Sequence, residues 1–131
     1  MSSRLIPDVY VGRKLDAAGF PGVYDGYVDV RDVARMVVFG VDNPEKVDGE
    51  RFLLAAWYSP AQAVADVLRR EYPERRGVIE QGKEGEGYRR DFGFEGVVYD
   101  GSKAVRVTGE RYIPWEKTVV DTVEKLRPIL V

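Results

Sequence analysis

Residues 27–41 read YVDVRDVARMVVFGV, and this stretch decides the fold. The first four residues alternate in the manner of a short strand. Asp29 or Asp32 can then cap a helix that runs to about Val41. The helical period predicts one apolar face on this helix, made of Val33, Met36, Val37 and Val41. The expected fold class is α+β.

The rest of the chain adds two main helices and several shorter elements. Ser59-Pro60 predicts a helix start, because Ser is a preferred N-cap and Pro a preferred first helical residue, and Pro73 ends that helix after Tyr72. Ile113-Pro114 begins the last helix, which runs to about Leu126. The shorter elements are a helix near Arg13–Ala18, a buried strand at Arg51–Trp57, a brief strand at Val97–Tyr99 and a helix over Ser102–Thr108 that Asp100 caps. The predicted fold is a small sheet of short strands with three main helices.

Composition and charge narrow the class of protein. The chain has 131 residues, 44% hydrophobic and 32% charged, which predicts one domain over residues 1–131. A net charge of −2 gives no basic field for a phosphate backbone, so no nucleic-acid partner is expected. The longest apolar run, Phe52–Tyr58, is far shorter than the ~20 residues that span a bilayer. We therefore expect a cytoplasmic protein without a membrane partner.

Two residue types are absent, and their absence excludes whole classes of chemistry. The sequence contains no Cys and no His. Without Cys there is no thiolate nucleophile and no cysteine zinc site, and without His there is no imidazole base, no Ser-His-Asp triad and no histidine-ligated metal. No metal site is expected. A catalyst built from this sequence must use carboxylates, Tyr, Lys and Arg.

Five motifs occur in an order that resembles one enzyme family. They are YVDVRDVA at 27–34, DNPE at 42–45, GERF at 49–52, YDGSKA at 99–104 and WEKTVVDTV at 115–123. Together they resemble the C-terminal, substrate-binding part of an extended short-chain dehydrogenase/reductase of the dihydroflavonol-reductase and fungal ketone/aldehyde-reductase type. The resemblance covers roughly residues 24–131. It divides the chain into a drifted N-terminal segment, residues 1–26, and a reductase-like substrate-binding region, residues 27–131.

The nucleotide-binding features of that family have no counterpart in the sequence. No apolar strand is followed by the glycine-rich turn that holds a pyrophosphate, so no complete Rossmann domain and no cofactor are expected. Gly82-x-x-Gly85-x-Gly87 follows no such strand. The family's Tyr-x-x-x-Lys motif occurs only as Tyr10…Lys14, in a segment that Pro7 and Gly12 mark as a turn, and we interpret it as a coincidence. Met1 favours an independent reading frame that has drifted, with a truncated product as the alternative.

Two groups of residues are candidates for a site. The predicted catalytic residues are Asp25, Tyr27, Asp29 and Arg31, and the predicted substrate-binding residues are Tyr24, Trp57, Tyr58, Tyr88 and Arg89. Each has a structural alternative. The aspartates can cap a helix while Arg31 pairs with one of them, the loop around Tyr88 can be merely solvated, and Trp57 can be a core residue.

Three functions remain open. The first is a nucleotide-independent enzyme of secondary metabolism, which cyclises, lactonises or hydrolyses a polyketide-like small molecule through carboxylate and Tyr acid–base chemistry. The second is a non-catalytic binding or scaffolding partner of a larger biosynthetic synthase. The third is an ordinary NAD(P)-dependent reductase, which the missing glycine-rich turn disfavours. We expect the first.

The resemblance also has a consequence for assembly. In the family, the Arg51–Trp57 strand joins the edge of the large Rossmann sheet. The Val33–Val41 helix packs partly against the region that contains this sheet. Without that region an unpaired strand edge and an apolar face are exposed. A homodimer covers both at once and is the expected assembly. Residues 1–26 folding back over the surface are the alternative.

Overall fold

The computed structural model describes residues 4–15, 26–58, 60–85 and 99–130, and these residues are mostly helical. In chain order the elements are α1 (Leu5–Tyr10), β1 (Gly26–Tyr27), α2 (Val30–Asp42), α3 (Pro44–Val47), β2 (Trp57–Tyr58), α4 (Ala61–Glu71), a 3-10 turn (Pro73–Arg75), α5 (Ser102–Thr108) and α6 (Trp115–Leu130). No helix among these residues is long and apolar enough to cross a membrane.

The chain divides into two compact units, each built from separate stretches of sequence. The helical unit comprises Met1–Asp25, Ser59–Arg89 and Pro114–Val131. The ladder unit comprises Gly26–Tyr58 and Arg90–Ile113. The single domain expected from chain length stays a prediction.

Three helices form the core of the helical unit. Helices α1, α4 and α6 pack against one another. Their fully buried side chains include Val9, Val64, Leu68, Val119 and Val123. Helix α4 ends just before Tyr72 and Pro73, as predicted, and begins at Ala61 with Pro60 at the N-cap position. Ser59, the predicted cap, lies outside the described residues.

Helix α1 was not predicted, because Pro7 was interpreted as part of a turn. The helix accommodates Pro7 at its third residue, where the missing N–H has no intrahelical partner to lose. The predicted helix near Arg13–Ala18 is wrong over its described residues, since 13–15 are not helical. The chain instead leaves α1 at Gly12, whose φ is +92°. A Cβ there would lie 2.8 Å from Val78 Cγ1, so only glycine fits.

The small sheet of the sequence prediction is much reduced in the structure. Strands β1 and β2 pair antiparallel, with Gly26 opposite Tyr58 and Tyr27 opposite Trp57. The strand predicted over Arg51–Trp57 is wrong for residues 51–56, which are not part of a strand. Ala56 N donates to Tyr27 O at 2.8 Å, but this single bond does not continue along the segment. Most of the predicted strand at Val97–Tyr99 lies outside the described residues.

Helix α2 begins where the sequence places it, but its rotation differs from the prediction. Asp29 is the N-cap, and its side chain accepts from Arg31 N. Val33 and Met36 are half-buried. Val37 and Val41, predicted on the same face, are 62% and 75% exposed. The prediction failed because Asp32, not a valine, is the residue of this helix that is buried.

The last two helices match their predictions closely. Helix α5 has the predicted bounds, and Asp100 accepts from Ser102 N at 2.8 Å. Helix α6 begins at Trp115 rather than Ile113 and continues to Leu130, four residues beyond the predicted end. It contains Pro128 in its last turn, where the ring removes one backbone hydrogen bond without ending the helix.

Candidate functional site

Asp29 and Arg31 form a tight pair at the start of α2. Asp29 Oδ1 accepts from Arg31 N and from Arg31 Nε, both at 2.9 Å, and Asp29 Oδ2 accepts from an Arg31 terminal nitrogen at 2.7 Å. Asp29 is only 4% exposed. Both carboxylate oxygens therefore hold the helix start, which is the structural alternative foreseen for these residues. Their catalytic role stays a prediction.

Tyr27 and Trp57 are brought together as direct partners on β1 and β2. Directly opposed residues of an antiparallel ladder have neighbouring side chains. Trp57 Nε1 also donates to Ile113 O at 2.8 Å, which fixes the indole. The described residues do not include four members of the predicted site, Tyr24, Asp25, Tyr88 and Arg89. The side chain of Tyr58 is not described either. The structure thus places Tyr27, Asp29, Arg31 and Trp57 of the predicted site.

A cleft opens between α2 and α5 in the ladder unit. Its apolar lining consists of Met36, Phe39, Leu54, Ala104 and Val105, and its polar lining includes Asp32, Arg35, Glu110 and Tyr112. The cleft has room for about 30 Å³. Since one water needs roughly 10–15 Å³ by the same measure, it holds about two waters and no organic substrate.

An ion-pair network that the sequence analysis did not find fills the polar end of this cleft. Arg35 binds Asp32 Oδ1, and it contacts Glu110 Oε2 at 2.7 Å. Ile113 N donates to Asp32 Oδ2 at 3.0 Å. Asp32 was interpreted as a helix cap, and the only sequence signal for its true role is the i, i+3 spacing to Arg35. The network ties α2 to the segment that follows α5.

Tyr112 and Gly101 pack closely beside the network. Tyr112 Oη donates to Gly101 O at 2.9 Å. Burial, and then the nearby Asp32 carboxylate, raise the pKa of Tyr112, so its phenol stays protonated and acts as a donor. A Cβ on Gly101 would meet Ala55 O and would lie 2.8 Å from Tyr112 Oη. This contact requires glycine at position 101.

The Tyr10…Lys14 motif is not a catalytic helix pair. Helix α1 ends at Tyr10, so Lys14 lies beyond it. Tyr10 is 2% exposed. Its ring meets Tyr72 edge-on at 5.4 Å, and the guanidinium of Arg75 lies 4.8 Å from the ring centroid. Tyr10 is therefore a core residue of the helical unit.

The described part of the glycine-rich segment does not fit a nucleotide pyrophosphate. The N–H of Lys83 donates to Gln62 Oε1 at 2.9 Å, and the N–H of Gly85 donates to Asp66 Oδ2 at 2.8 Å. These backbone donors are already bound by side chains of α4, and a carboxylate stands where a phosphate would bind. Among residues 4–15, 26–58, 60–85 and 99–130, no cluster of three or more acidic residues forms a metal site.

The chain is similar to known reductases, although no protein-family model matches it. The NADPH-dependent methylglyoxal reductase of Saccharomyces cerevisiae is 28% identical over 106 residues, which are 81% of this chain and 30% of that enzyme. The crystal structure of Gre2 from Candida albicans superposes with a TM-score of 0.79 at 26% identity, over 98% of this chain and 37% of that one. For the yeast methylglyoxal/isovaleraldehyde reductase Gre2 complexed with NADPH, the TM-score is 0.78, also at 26% identity, over 95% of this chain and 39% of that one.

These similarities correct the functional prediction. The chain spans between 30% and 39% of the length of its relatives, and those relatives are NADPH-dependent reductases. The cofactor-independent cyclisation, lactonisation or hydrolysis of a polyketide expected from the sequence is therefore wrong, and the binding or scaffolding alternative stays a prediction. The missing glycine-rich turn was interpreted as evidence that the reductase reaction is lost, whereas the relative solved with NADPH has a chain more than twice as long.

Proposed function

Because this chain is homologous to the C-terminal part of extended short-chain dehydrogenases/reductases, we propose that it forms the substrate side of an NADPH-dependent carbonyl reductase. Polypeptide outside these 131 residues supplies the nucleotide site. The substrate is a small aldehyde or ketone, the class to which the methylglyoxal and isovaleraldehyde of its relatives' names belong. The proposal includes a cytoplasmic location.

One observation carries this proposal. The chain superposes over 95% of its length, with a TM-score of 0.78, on a reductase solved with NADPH. The described acidic groups agree with a role in binding rather than in chemistry, since Asp29 and Asp32 are held in ion pairs with Arg31 and Arg35. The proposed substrate contacts are Tyr27 and Trp57. The sequence also proposes Tyr24, Asp25, Tyr58, Tyr88 and Arg89 for this role.

A fusion protein tests the proposal. The part of the Candida albicans Gre2 that precedes its matched region is joined to the N-terminus of this chain, and aldehyde-dependent loss of NADPH absorbance is measured with methylglyoxal and isovaleraldehyde. We expect the fusion to reduce at least one aldehyde, while the 131-residue chain alone neither binds nor oxidises NADPH. The matched control is the Candida albicans part alone, which should bind NADPH without reducing an aldehyde. A fusion that binds NADPH but reduces no carbonyl compound contradicts the proposal.

A further inference from the structure

The indole of Trp57 has a single polar group, and the fold already uses it. The indole N–H is the one hydrogen-bond donor of a tryptophan side chain, and in Trp57 it donates to Ile113 O at 2.8 Å. Trp57 is half-buried, so part of its ring is open to solvent. A ligand that reaches this side chain therefore meets the apolar ring and not the N–H.

The backbone of Ile113 is bound on its other side by Asp32. Its N–H donates to Asp32 Oδ2 at 3.0 Å, while its C=O accepts from Trp57. Ile113 also precedes Pro114, and a residue before proline is largely restricted to extended backbone conformations. A stiff residue whose N–H is held has a C=O of fixed direction. Asp32, Ile113 and Trp57 therefore form one chain of hydrogen bonds, which we call the indole anchor.

Asp32 is itself held firmly enough to begin this chain. It is 4% exposed, and its other carboxylate oxygen binds Arg35. Arg35 is in turn fixed by Glu110 Oε2 at 2.7 Å and by Arg111 O at 3.1 Å. A charged acceptor also makes a stronger hydrogen bond to a backbone N–H than a neutral one does. The ion pair on Oδ1 thus holds the carboxylate so that Oδ2 faces Ile113.

The indole anchor orients one half of an aromatic pair. Tyr27 is the direct partner of Trp57 on the neighbouring strand and is also half-buried. The N–H of Ala56 donates to Tyr27 O at 2.8 Å, which joins the two strands at this point. The backbone pairing decides where the two side chains begin, whereas the indole anchor decides how the indole is turned. Two partly open aromatic rings, one of them held in a fixed orientation, form an apolar wall.

We propose that Asp32 is a positioning residue of the reductase, which acts through Ile113 to hold the Trp57 indole as an apolar wall against the alkyl part of the aldehyde. The inference rests on the proposed function for the identity of this substrate. The wall binds alkyl groups by their size: isovaleraldehyde has a branched alkyl chain, whereas methylglyoxal carries only a methyl group. Asp32 thereby determines specificity without touching the substrate.

Hydrogen exchange of the Trp57 indole proton tests the indole anchor in the 131-residue chain. Asp32→Leu removes the acceptor of the Ile113 N–H. Asp32→Asn is the matched control, because it keeps an acceptor oxygen although both variants remove the charge that binds Arg35. NMR measures the exchange rate of this indole proton divided by that of the Ala56 backbone N–H in the same unit. We expect the ratio to rise at least tenfold in Asp32→Leu and less than threefold in Asp32→Asn.

This ratio separates a positioning role from a loss of stability. General loosening of the ladder unit speeds the exchange of both protons and leaves their ratio unchanged. An unchanged ratio in Asp32→Leu overturns the inference, and so does an equal rise in Asp32→Asn, because the effect then comes from the lost ion pair. Should Asp32→Leu not fold, Asp32→Ala removes the same acceptor without a large side chain. In the parent, an indole proton of Trp57 that exchanges as fast as that of free tryptophan overturns the inference outright.

Kinetics of the fusion with the Candida albicans part test the apolar wall. Asp32→Leu should raise KM for isovaleraldehyde at least fivefold and KM for methylglyoxal less than twofold. Both kcat values should stay within twofold, because an apolar contact made equally in the ground state and the transition state affects KM alone. Trp57→Ala should show the same pattern, and Asp32→Leu should add nothing in the Trp57→Ala background. Equal rises in KM for the two aldehydes, or additive effects of the two changes, overturn the inference.

Failure of the proposed function is distinguished from failure of this inference. A parent fusion that binds NADPH but reduces no carbonyl compound, with the expected exchange ratio, refutes the proposed function and leaves the indole anchor in place. An active parent fusion in which Asp32→Leu does not change KM for isovaleraldehyde refutes the positioning role of Asp32 alone.

Discussion

At the scale of single residues, Asp32 links α2 to the segment that follows α5 in the ladder unit. Its carboxylate is buried, bound by Arg35 and by the N–H of Ile113. Sequence reasoning could not find it, because helical periodicity expects an apolar side chain at a buried position. The neighbouring Asp29 was found as a cap, since a cap is defined by local sequence.

Asp32→Asn should lower the free energy of unfolding by about 2 kcal/mol, since it removes the buried half of an ion pair whose arginine is partly exposed. The matched control is Glu110→Gln, which removes the exposed partner of the same Arg35 and should cost under about 1 kcal/mol. Urea unfolding is followed by Trp57 fluorescence in a Trp115→Phe background, so that the signal comes from the ladder unit. Equal losses in the two variants would show that burial of Asp32 does not matter.

Gly101→Ala should destabilise the chain by about 2 kcal/mol, because the new Cβ meets Ala55 O and Tyr112 Oη and the backbone must shift. Gly77→Ala is the control: no atom lies within 4 Å of its Cβ position. That variant should be neutral or slightly more stable. Thermal unfolding of the two variants measures the difference, and a Gly101→Ala protein as stable as the parent would contradict the packing described.

At the scale of elements, the Tyr72 hydroxyl links the end of α4 to α6 by donating to Glu124 Oε1 at 2.8 Å. Burial and then this hydrogen bond raise the pKa of Tyr72 above its ordinary value of 10.0. The unfolded chain therefore loses this proton at a lower pH than the folded chain does. Stability is complete below pH 10 and falls as the pH rises above it.

Tyr72→Phe should remove part of this loss of stability at alkaline pH, because Phe has no proton to release. Near neutral pH it should cost about 1 kcal/mol, the typical value of one hydrogen bond. Tyr112, whose pKa is also raised, should supply a further part of the loss, so the double Tyr72→Phe, Tyr112→Phe variant should show a flatter profile than either single variant. The measurement is urea unfolding from neutral pH upward, and an unchanged alkaline slope in Tyr72→Phe would refute the assignment.

The elements show which parts of the structure could be predicted from sequence. Helices α2, α4, α5 and α6 were found because their caps, prolines and apolar periods are local signals. The strand predicted at residues 51–56 is wrong, because a strand needs a partner that its own sequence does not specify. The rotation of α2 was misjudged for a related reason: both of its faces are apolar, so the period did not reveal which face points inward.

At the scale of the molecule, the similarity to reductases could be predicted and the chemistry could not. The order of motifs from Tyr27 to Val123 indicated the family of the reductases to which this chain is similar. The error came from treating the absence of a glycine-rich turn as evidence about the reaction. Of the predicted site, Tyr27 and Trp57 are placed side by side, while Asp29 and Arg31 are placed as a helix cap.

The division into two units makes a further prediction. Helix α6 supplies Val119 and Val123 to the core of the helical unit and belongs to that unit. A chain that ends at Ile113 should therefore lose amide protection in α4 and keep it in α2, as measured by hydrogen exchange with mass spectrometry. The full chain is the control. Retained protection in α4 would show that α6 is dispensable, and loss of protection in both helices would show that the units unfold together.

The packing of α1 on α6 also affects biosynthesis. These helices begin at Leu5 and Trp115, so their contacts join residues that are about a hundred positions apart in the sequence. While the ribosome is still translating, α1 and α4 have emerged without the helix that buries them, whereas both stretches of the ladder unit are already synthesised. Because α6 is the last of these helices to be synthesised, α6 cannot cover the buried side chains of Val9, Val64 and Leu68 until translation has passed Leu130.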